Sequence, residues 1–119
     1  MDFKVAPVKP LIALADVDKI DVRLGTILSV EEVPGSDKLL KLTVAFGNHQ
    51  RTILVGMKQE RANAKELEGK QALFVVNLPP RKMMGQVSEG MLFDIGYADG
   101  LTPVLAVPEK QIQDGARAG

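Results

Sequence analysis

Short strand-forming segments dominate this chain and constrain its fold most. The first, DVRLGTILSVEEV (21–33), is long and is interrupted by Gly25, and a glycine inside a strand often marks a bulge or a sharp bend. KLLKLTVAF (38–46) alternates apolar and polar residues, so its two faces differ. After the hairpin turn GNHQ, RTILVG (51–56) is predicted to be the return strand.

A charged segment separates the third strand from the fourth. KQERANAKELEG (58–69) is rich in alanine and glutamate and is predicted to form one short helix or helical turns that end at Gly69. KQALFVVNL (70–78), EGMLFDIG (89–96) and TPVLAVP (102–108) are then predicted strands. Five principal strands with one helix between the third and fourth predict an all-β fold with one short helix, the five-stranded Greek-key barrel called the OB-fold. A generic small β-barrel and a split sheet with one helix remain alternatives.

The start of the chain is predicted to be an arm, because Pro7 and Pro10 lie too close together for regular structure. Asp16 is predicted to cap a short helical turn at DVDKI. We therefore expect an N-terminal arm over residues 1–15 and one OB-fold domain with a C-terminal extension over residues 16–119.

Composition argues against several classes of function. The chain has no cysteine, and its one histidine, His49, falls in a predicted turn, so we expect neither a metal site nor a catalytic triad. No GxxxxGK phosphate loop is present. No apolar run is long enough to span a membrane, and the apolar patch near the N-terminus is too short for a secretory signal. We expect a non-catalytic, cytoplasmic binding module that needs no cofactor.

Charge is balanced in total but not along the chain. There are 15 cations and 15 anions, yet residues 36–91 carry nine cations and five anions, and the two flanking segments are each net −2. A positive face is therefore possible on a neutral protein.

The stretch NLPPRKMMGQVSEGM (77–91) is the most distinctive. Pro79 and Pro80 are predicted to stiffen a loop that carries Arg81 and Lys82, followed by two methionines. A purely structural loop needs turn residues, whereas cations contact phosphates and methionines offer adaptable apolar surface. This loop is predicted to bind a ligand.

Together with VDKIDVRLGTI, GSDKLLKLTV and RTILVG, this loop resembles the tRNA-binding domain family over about residues 16–117. That family includes the C-terminal appendix of bacterial methionyl-tRNA synthetases, free-standing tRNA-binding proteins and a module of synthetase-associated cytokines. CsaA-type export chaperones share its fold. The resemblance implies an OB-fold that binds tRNA mainly by shape and phosphate contacts, and homodimers paired through the chain ends. It also implies an aminoacyl-tRNA synthetase or an unfolded polypeptide as possible partners.

The predicted RNA-binding residues are cations, thioethers, an amide and a hydroxyl that match the family pattern: Lys38, Lys41, Arg51, Asn77, Arg81, Lys82, Met83, Met84, Ser88 and Met91. Lys38 and Lys41 are predicted to line the same barrel face as Arg51. For Asn77, holding the loop and touching the ligand are both open. For Ser88, a local role in tying the loop to the next strand stays open, and for Met91, strand core and binding pocket are equally open.

Phe46, Phe74 and Phe93 are predicted to lie in the core, which argues against stacking of many bases and favours a structured RNA. The double proline and the neutral total charge keep a CsaA-type export chaperone for unfolded preproteins as the alternative function, and a bare dimerisation domain is a third hypothesis. The Met1 start and the arm favour a free-standing protein over an excised synthetase appendix.

Overall fold

A computed structural model describes residues 3–119, so residues 1 and 2 of the predicted arm lie outside the described residues. Within this range no helix has the length and apolarity needed to cross a membrane. The same residues contain no cluster of three or more histidine, aspartate or glutamate side chains that could hold a metal ion.

The fold is all-β with one short α-helix, as the sequence predicts. The α-helix is α1 (Leu14–Val17), and two 3-10 turns span Ala64–Leu67 and Tyr97–Asp99. The strands are β1 (Val22–Glu32), β2 (Leu40–Ala45), β3 (Gln50–Val55), β4 (Gln71–Val75), β5 (Arg81–Met83), β6 (Gln86–Ser88), β7 (Met91–Leu92) and β8 (Arg117–Ala118).

The main sheet is curled into the barrel expected of an OB-fold. Its strand order is β3-β2-β1-β4-β7, with β8 added to the start of β1, while β5 and β6 form a separate hairpin. The free edge of β3 is closed by the last residue of β6 and the residue that follows it. Glu89 donates its backbone N–H to Thr52 O at 2.8 Å, and Ser88 Oγ accepts the N–H of Leu54 at 3.0 Å. These few hydrogen bonds between β3 and residues 88–89 close the barrel in place of a full ladder. We call this junction the barrel seam.

Strand β1 serves both halves of the barrel because it pairs with β4 over its first half and with β2 over its second. The irregularity in β1 lies between Ile27 and Ser29, not at Gly25. Gly25 is instead a point of close approach: a Cβ there would lie 2.5 Å from Val44 Cγ1 and 2.8 Å from Phe46 Cε1. The glycine lets β1 lie against the inner face of β2.

The core lies inside the curl of this sheet. Leu40, Leu42 and Val44 all face inward from β2, as their alternation predicts. Phe74 from β4 and Leu67 from the first 3-10 turn are fully buried beside them. Burial of each such side chain contributes about 1.5–3 kcal/mol, which makes this cluster the main source of stability.

Of the two alternatives predicted for 58–69, the helical turn is the one that forms: only Ala64–Leu67 is helical, as a 3-10 turn, and Gly69 follows it with a positive φ of 87°. Leu67 is the one fully buried apolar side chain that this segment contributes, so the segment has too little apolar face to hold a longer helix against the core. Its turn begins at Asn63, whose side chain accepts the N–H of Lys65 at 3.2 Å.

The strands predicted near the C-terminus are also shorter. The segment 89–96 forms only β7, and 102–108 contributes one isolated bridge between Val104 and Ile95. Phe93 is not in the core: it is 48% exposed, since it follows the buried Leu92 and side chains alternate along a strand.

Asp16 was expected to precede the first helix, but α1 already begins at Leu14 and Asp16 is its third residue. The Asp16 carboxylate nevertheless caps the helix from within, because Oδ2 accepts the N–H of Ala13 at 3.1 Å. Every residue from Phe3 to Ile20 is exposed.

Candidate nucleic-acid interface

The basic loop is a β-hairpin with a tight two-residue tip. Strands β5 and β6 pair from Arg81 opposite Ser88 to Met83 opposite Gln86. The two tip residues, Met84 and Gly85, have φ of 50° and 76°, the left-handed conformation of a two-residue I′ turn. A non-glycine residue in this conformation costs about 1–3 kcal/mol, and such strain is found most often at functional sites.

The two cations of the hairpin point to opposite faces. Arg81 is opposite Ser88, whereas Lys82 is opposite Val87, and directly opposed residues share a face. Both side chains are exposed. Among residues 3–119, neither forms an ion pair with a carboxylate. Their charges are therefore available to a ligand.

The hairpin tip lies against the turn that joins β1 to β2. A Cβ placed on Gly35 would lie 3.5 Å from Met84 Cε. Ser36 shapes this turn, because its Oγ accepts the N–H groups of Lys38 and Leu39 at 3.3 and 3.0 Å. The turn therefore brings the exposed residue Lys38 to the same part of the surface as the tip.

The prediction that Lys41 and Arg51 line one barrel face is wrong. Lys41 is paired with Leu54 and points outward, whereas Arg51 is paired with Val44, whose side chain is in the core. Lys41 can join Lys38 on the outer surface. Arg51 cannot, because its pairing with Val44 puts its side chain on the other face of the sheet from Lys41.

Arg51 binds the protein's own backbone. Its Nη1 donates to Val76 O at 2.7 Å and to Glu89 O at 3.0 Å. These bonds tie β3 to the end of β4 and to the barrel seam. Nε is also bonded, to His49 Nε2 at 3.2 Å, so a contact between Arg51 and RNA would have to use Nη2 of the guanidinium.

Asn77 and Ser88 are both satisfied by local backbone groups. Asn77 Oδ1 accepts the N–H of Asp21 at 2.9 Å, and its Nδ2 donates to Lys19 O at 2.7 Å. Ser88 is only 3% exposed, and its hydroxyl donates to Gly90 O at 3.0 Å. The local reading of Ser88 is confirmed: it ties the hairpin to β3 and to the chain that follows.

The three methionines of the predicted site differ in exposure. Met84 and Met91 are 54% and 47% exposed, whereas Met83 is half-buried. Met91 is thus not a core residue of its strand. Met84 and Met91 can offer apolar surface to a ligand.

A small cavity of about 190 Å³ lies at the other end of the barrel strands, where β1 begins and β2 ends. Arg23 holds Asp21 there through Nε–Oδ1 and Nη2–Oδ2 contacts of 2.7 and 3.1 Å. This hydrogen-bonded pair lowers the pKa of Asp21, although partial burial opposes the shift, and Arg117 lowers the pKa further. His49 and Arg51 also line the cavity. His49 lies just before β3, which begins at Gln50, as the predicted turn position implies, and the sequence offered no signal that it would line this cavity beside Arg51.

Comparison with known proteins identifies the family. Residues 22–117 match the family described as "Putative tRNA binding domain". The chain is 40% identical over 115 residues to a methionine–tRNA ligase of Parabacteroides distasonis, and 40% identical over 113 residues to that of Nitrosomonas europaea. These matches cover 97% and 95% of this chain, which spans only 17% and 16% of the two ligases.

Solved structures show the same likeness. A MetRS-related protein from Pyrococcus horikoshii is 33% identical, with a TM-score of 0.85 over 93% of this chain and all of that one. The chaperone CsaA from Bacillus anthracis is 26% identical, with a TM-score of 0.79 over 92% of this chain and all of its own. On the family match and the basic hairpin together, this chain belongs to the tRNA-binding domain family.

Proposed function

We propose that this chain is a non-catalytic module that binds tRNA mainly through its shape and its phosphates. The observation that carries the proposal is the hairpin with exposed Arg81 and Lys82, which form no ion pair with any carboxylate of residues 3–119, set against the turn that carries Lys38. Cations fixed at defined positions meet phosphates with little loss of conformational entropy. Shape recognition of a folded RNA needs such contacts rather than a row of aromatic platforms.

The resemblance to methionine–tRNA ligases suggests a partner as well as a ligand. This chain corresponds to about a sixth of those enzymes, so their aminoacylation activity is not transferred to it. We propose that it supplies tRNA affinity in the cytoplasm, either by itself or beside a synthetase.

The first test is a filter-binding titration of the parent protein with bulk tRNA. With about four cations engaged, Arg81, Lys82, Lys38 and Lys41, affinity should fall by roughly 80-fold between about 50 and 200 mM salt, because bound counterions are released on association. A double-stranded DNA of equal charge is the control for unspecific attraction. Equal affinity for the DNA, or an affinity that does not change with salt, would contradict the proposal.

A chaperone function is the second candidate, and the exposed apolar side chains around the hairpin favour it. Leu78, Met84, Val87 and Met91 are all partly open to solvent, and the fold is similar to that of CsaA. In the same titration, a permanently unfolded polypeptide should not displace tRNA. Displacement together with salt-independent binding of the polypeptide would favour the chaperone.

We also propose that the protein is a homodimer paired through its N-terminal segment. Residues 3–20 expose Val8, Leu11, Ile12 and Leu14, with Leu11 99% exposed. Contiguous apolar surface of this kind marks an interaction site. A second copy of the chain would cover it.

Sedimentation velocity tests the dimer. The parent should sediment with twice the 12.9 kDa mass of the chain, and L11D/L14D should be monomeric, because two buried carboxylates would stay unpaired in the interface. The matched control L28D introduces the same charge at an exposed apolar site on β1 and should leave the dimer intact. A monomeric parent would disprove the pairing.

A further inference from the structure

The strongest feature outside the hairpin is the way His49 is held. Its ring stacks on Phe46 with centroids 5.7 Å apart and planes inclined by 25°. Phe46 is itself buried and makes an edge-to-face contact with Phe74 at 5.7 Å. One face of the imidazole is thus covered by the core, and the residue as a whole is exposed.

Hydrogen bonds fix the same ring from its edge. Arg51 Nε lies 3.2 Å from His49 Nε2, and His49 Nδ1 lies 2.6 Å from Asn48 Oδ1. An arginine nitrogen can only donate and an amide oxygen can only accept, so both bonds form when the ring proton is on Nδ1. The imidazole is therefore a preorganised flat surface, unlike an ordinary turn histidine.

The cavity beside this surface has two cations and one anion among its lining side chains. Arg51 and Arg23 line the cavity beside the ring, with Asp21 as the one carboxylate among its lining residues. Asp21 is already bound by Arg23 and lies 3.4 Å from Arg117. Arg51 Nη2 has no hydrogen-bond partner among residues 3–119. A flat aromatic ring with an adjacent guanidinium suits a nucleobase and its phosphate.

We propose that His49 is a stacking platform for one unpaired nucleobase of the bound RNA, with Arg51 beside it for the adjoining phosphate. This inference rests on the proposed tRNA-binding function and extends the contact surface beyond the hairpin. The platform lies at the end of β2, whereas the turn with Lys38 lies at its beginning, and six strand residues span roughly 20 Å. The bound RNA would run along the barrel between the two.

The test compares H49A with H49F in tRNA binding. H49A should weaken binding about tenfold, the usual loss when one base loses its aromatic partner. H49F keeps a ring over Phe46 but loses both edge hydrogen bonds, so it should bind within about threefold of the parent.

A direct readout of stacking uses a short single-stranded RNA with one 2-aminopurine. The parent and H49F should quench its fluorescence, and H49A should not. A fully paired RNA duplex is the control probe, and its affinity should be the same for all three proteins. Equal quenching by H49A, or an H49F variant as weak as H49A, would overturn the platform.

The outcome can be separated from that of the proposed function. If R81A/K82A loses tRNA and H49A does not, the platform is wrong and tRNA binding stands. If the parent itself does not bind tRNA but still quenches the 2-aminopurine RNA, the platform stands and the proposed function is wrong.

Discussion

Replacement of both Arg81 and Lys82 by alanine is expected to weaken binding of bulk tRNA by about 30-fold at low salt. Two charge-assisted contacts at a solvated interface together contribute about 2 kcal/mol, which corresponds to that factor. The slope of log affinity against log salt should fall by about 1.5, because two fewer counterions are released. All tRNAs should be affected about equally, since phosphate contacts carry no sequence information.

The matched control is K70A/K110A. Lys70 and Lys110 are exposed, and they lie near the start of β4, at the other end of that strand from the hairpin. The control removes the same charge and should change affinity by less than about threefold. If both double variants lose affinity equally, the general field of the protein rather than the hairpin attracts RNA.

The single variants test the hairpin geometry. Because Arg81 and Lys82 project from opposite faces, an RNA that touches only one face would respond to only one of R81A and K82A. Equal losses from both would mean that the RNA meets the hairpin edge-on.

Replacement of Gly25 by alanine is expected to lower the free energy of unfolding by about 3 kcal/mol. The new methyl group would lie 2.5 Å from Val44 Cγ1, 2.8 Å from Phe46 Cε1 and 3.1 Å from Ala45 O. Two of these atoms belong to core side chains and the third to the backbone, so relief requires β1 to move away from β2. Equilibrium denaturation in urea measures the change directly.

Gly56→Ala is the matched control for this strain. A Cβ on Gly56 would meet nothing within 4 Å, and its φ is not positive. The substitution should therefore leave stability unchanged or raise it by up to about 1 kcal/mol, through the lower entropy of the unfolded chain. If the Gly25 variant were as stable as the Gly56 variant, the close packing of β1 on β2 would be disproved.

The clash at Gly25 also connects the fold to the second proposed contact. The ring of Phe46 contacts both places, since its Cε1 atom would lie 2.8 Å from a Cβ on Gly25 and its plane stacks on His49. A Gly25→Ala protein that remains folded should therefore show weaker quenching of the 2-aminopurine RNA. The packing of β1 on β2 and the orientation of the His49 imidazole both depend on the phenyl ring of Phe46.

Much of the fold could be predicted because it is encoded by local alternation. Leu40, Leu42 and Val44 repeat every second residue, which defines the inner face of β2 without reference to any other strand. The order of strands and one helical turn then indicated the barrel. The segment 58–69 left a short helix and helical turns open, because its helix-forming residues favour a helix locally, whereas the packing of Leu67 alone could support only one turn.

The candidate site was predictable in composition but not in arrangement. The sequence of the loop showed cations and methionines together, yet it did not show the hairpin register that sends Arg81 and Lys82 to opposite faces. It also left a local role and a ligand-contacting role open for Asn77 and Ser88, and only the structure shows that both are bonded to backbone groups nearby in space.

By itself the sequence determined the inner faces of the strands, the basic loop and the family, because each depends on residues that are close together along the chain. Only the tertiary structure decided that Lys41 and Arg51 lie on opposite sides of the sheet and that His49 is held flat on Phe46. Those relations depend on the pairing register between strands, where a shift of one residue reverses every face. The register is fixed by packing of the whole barrel and not by any segment alone.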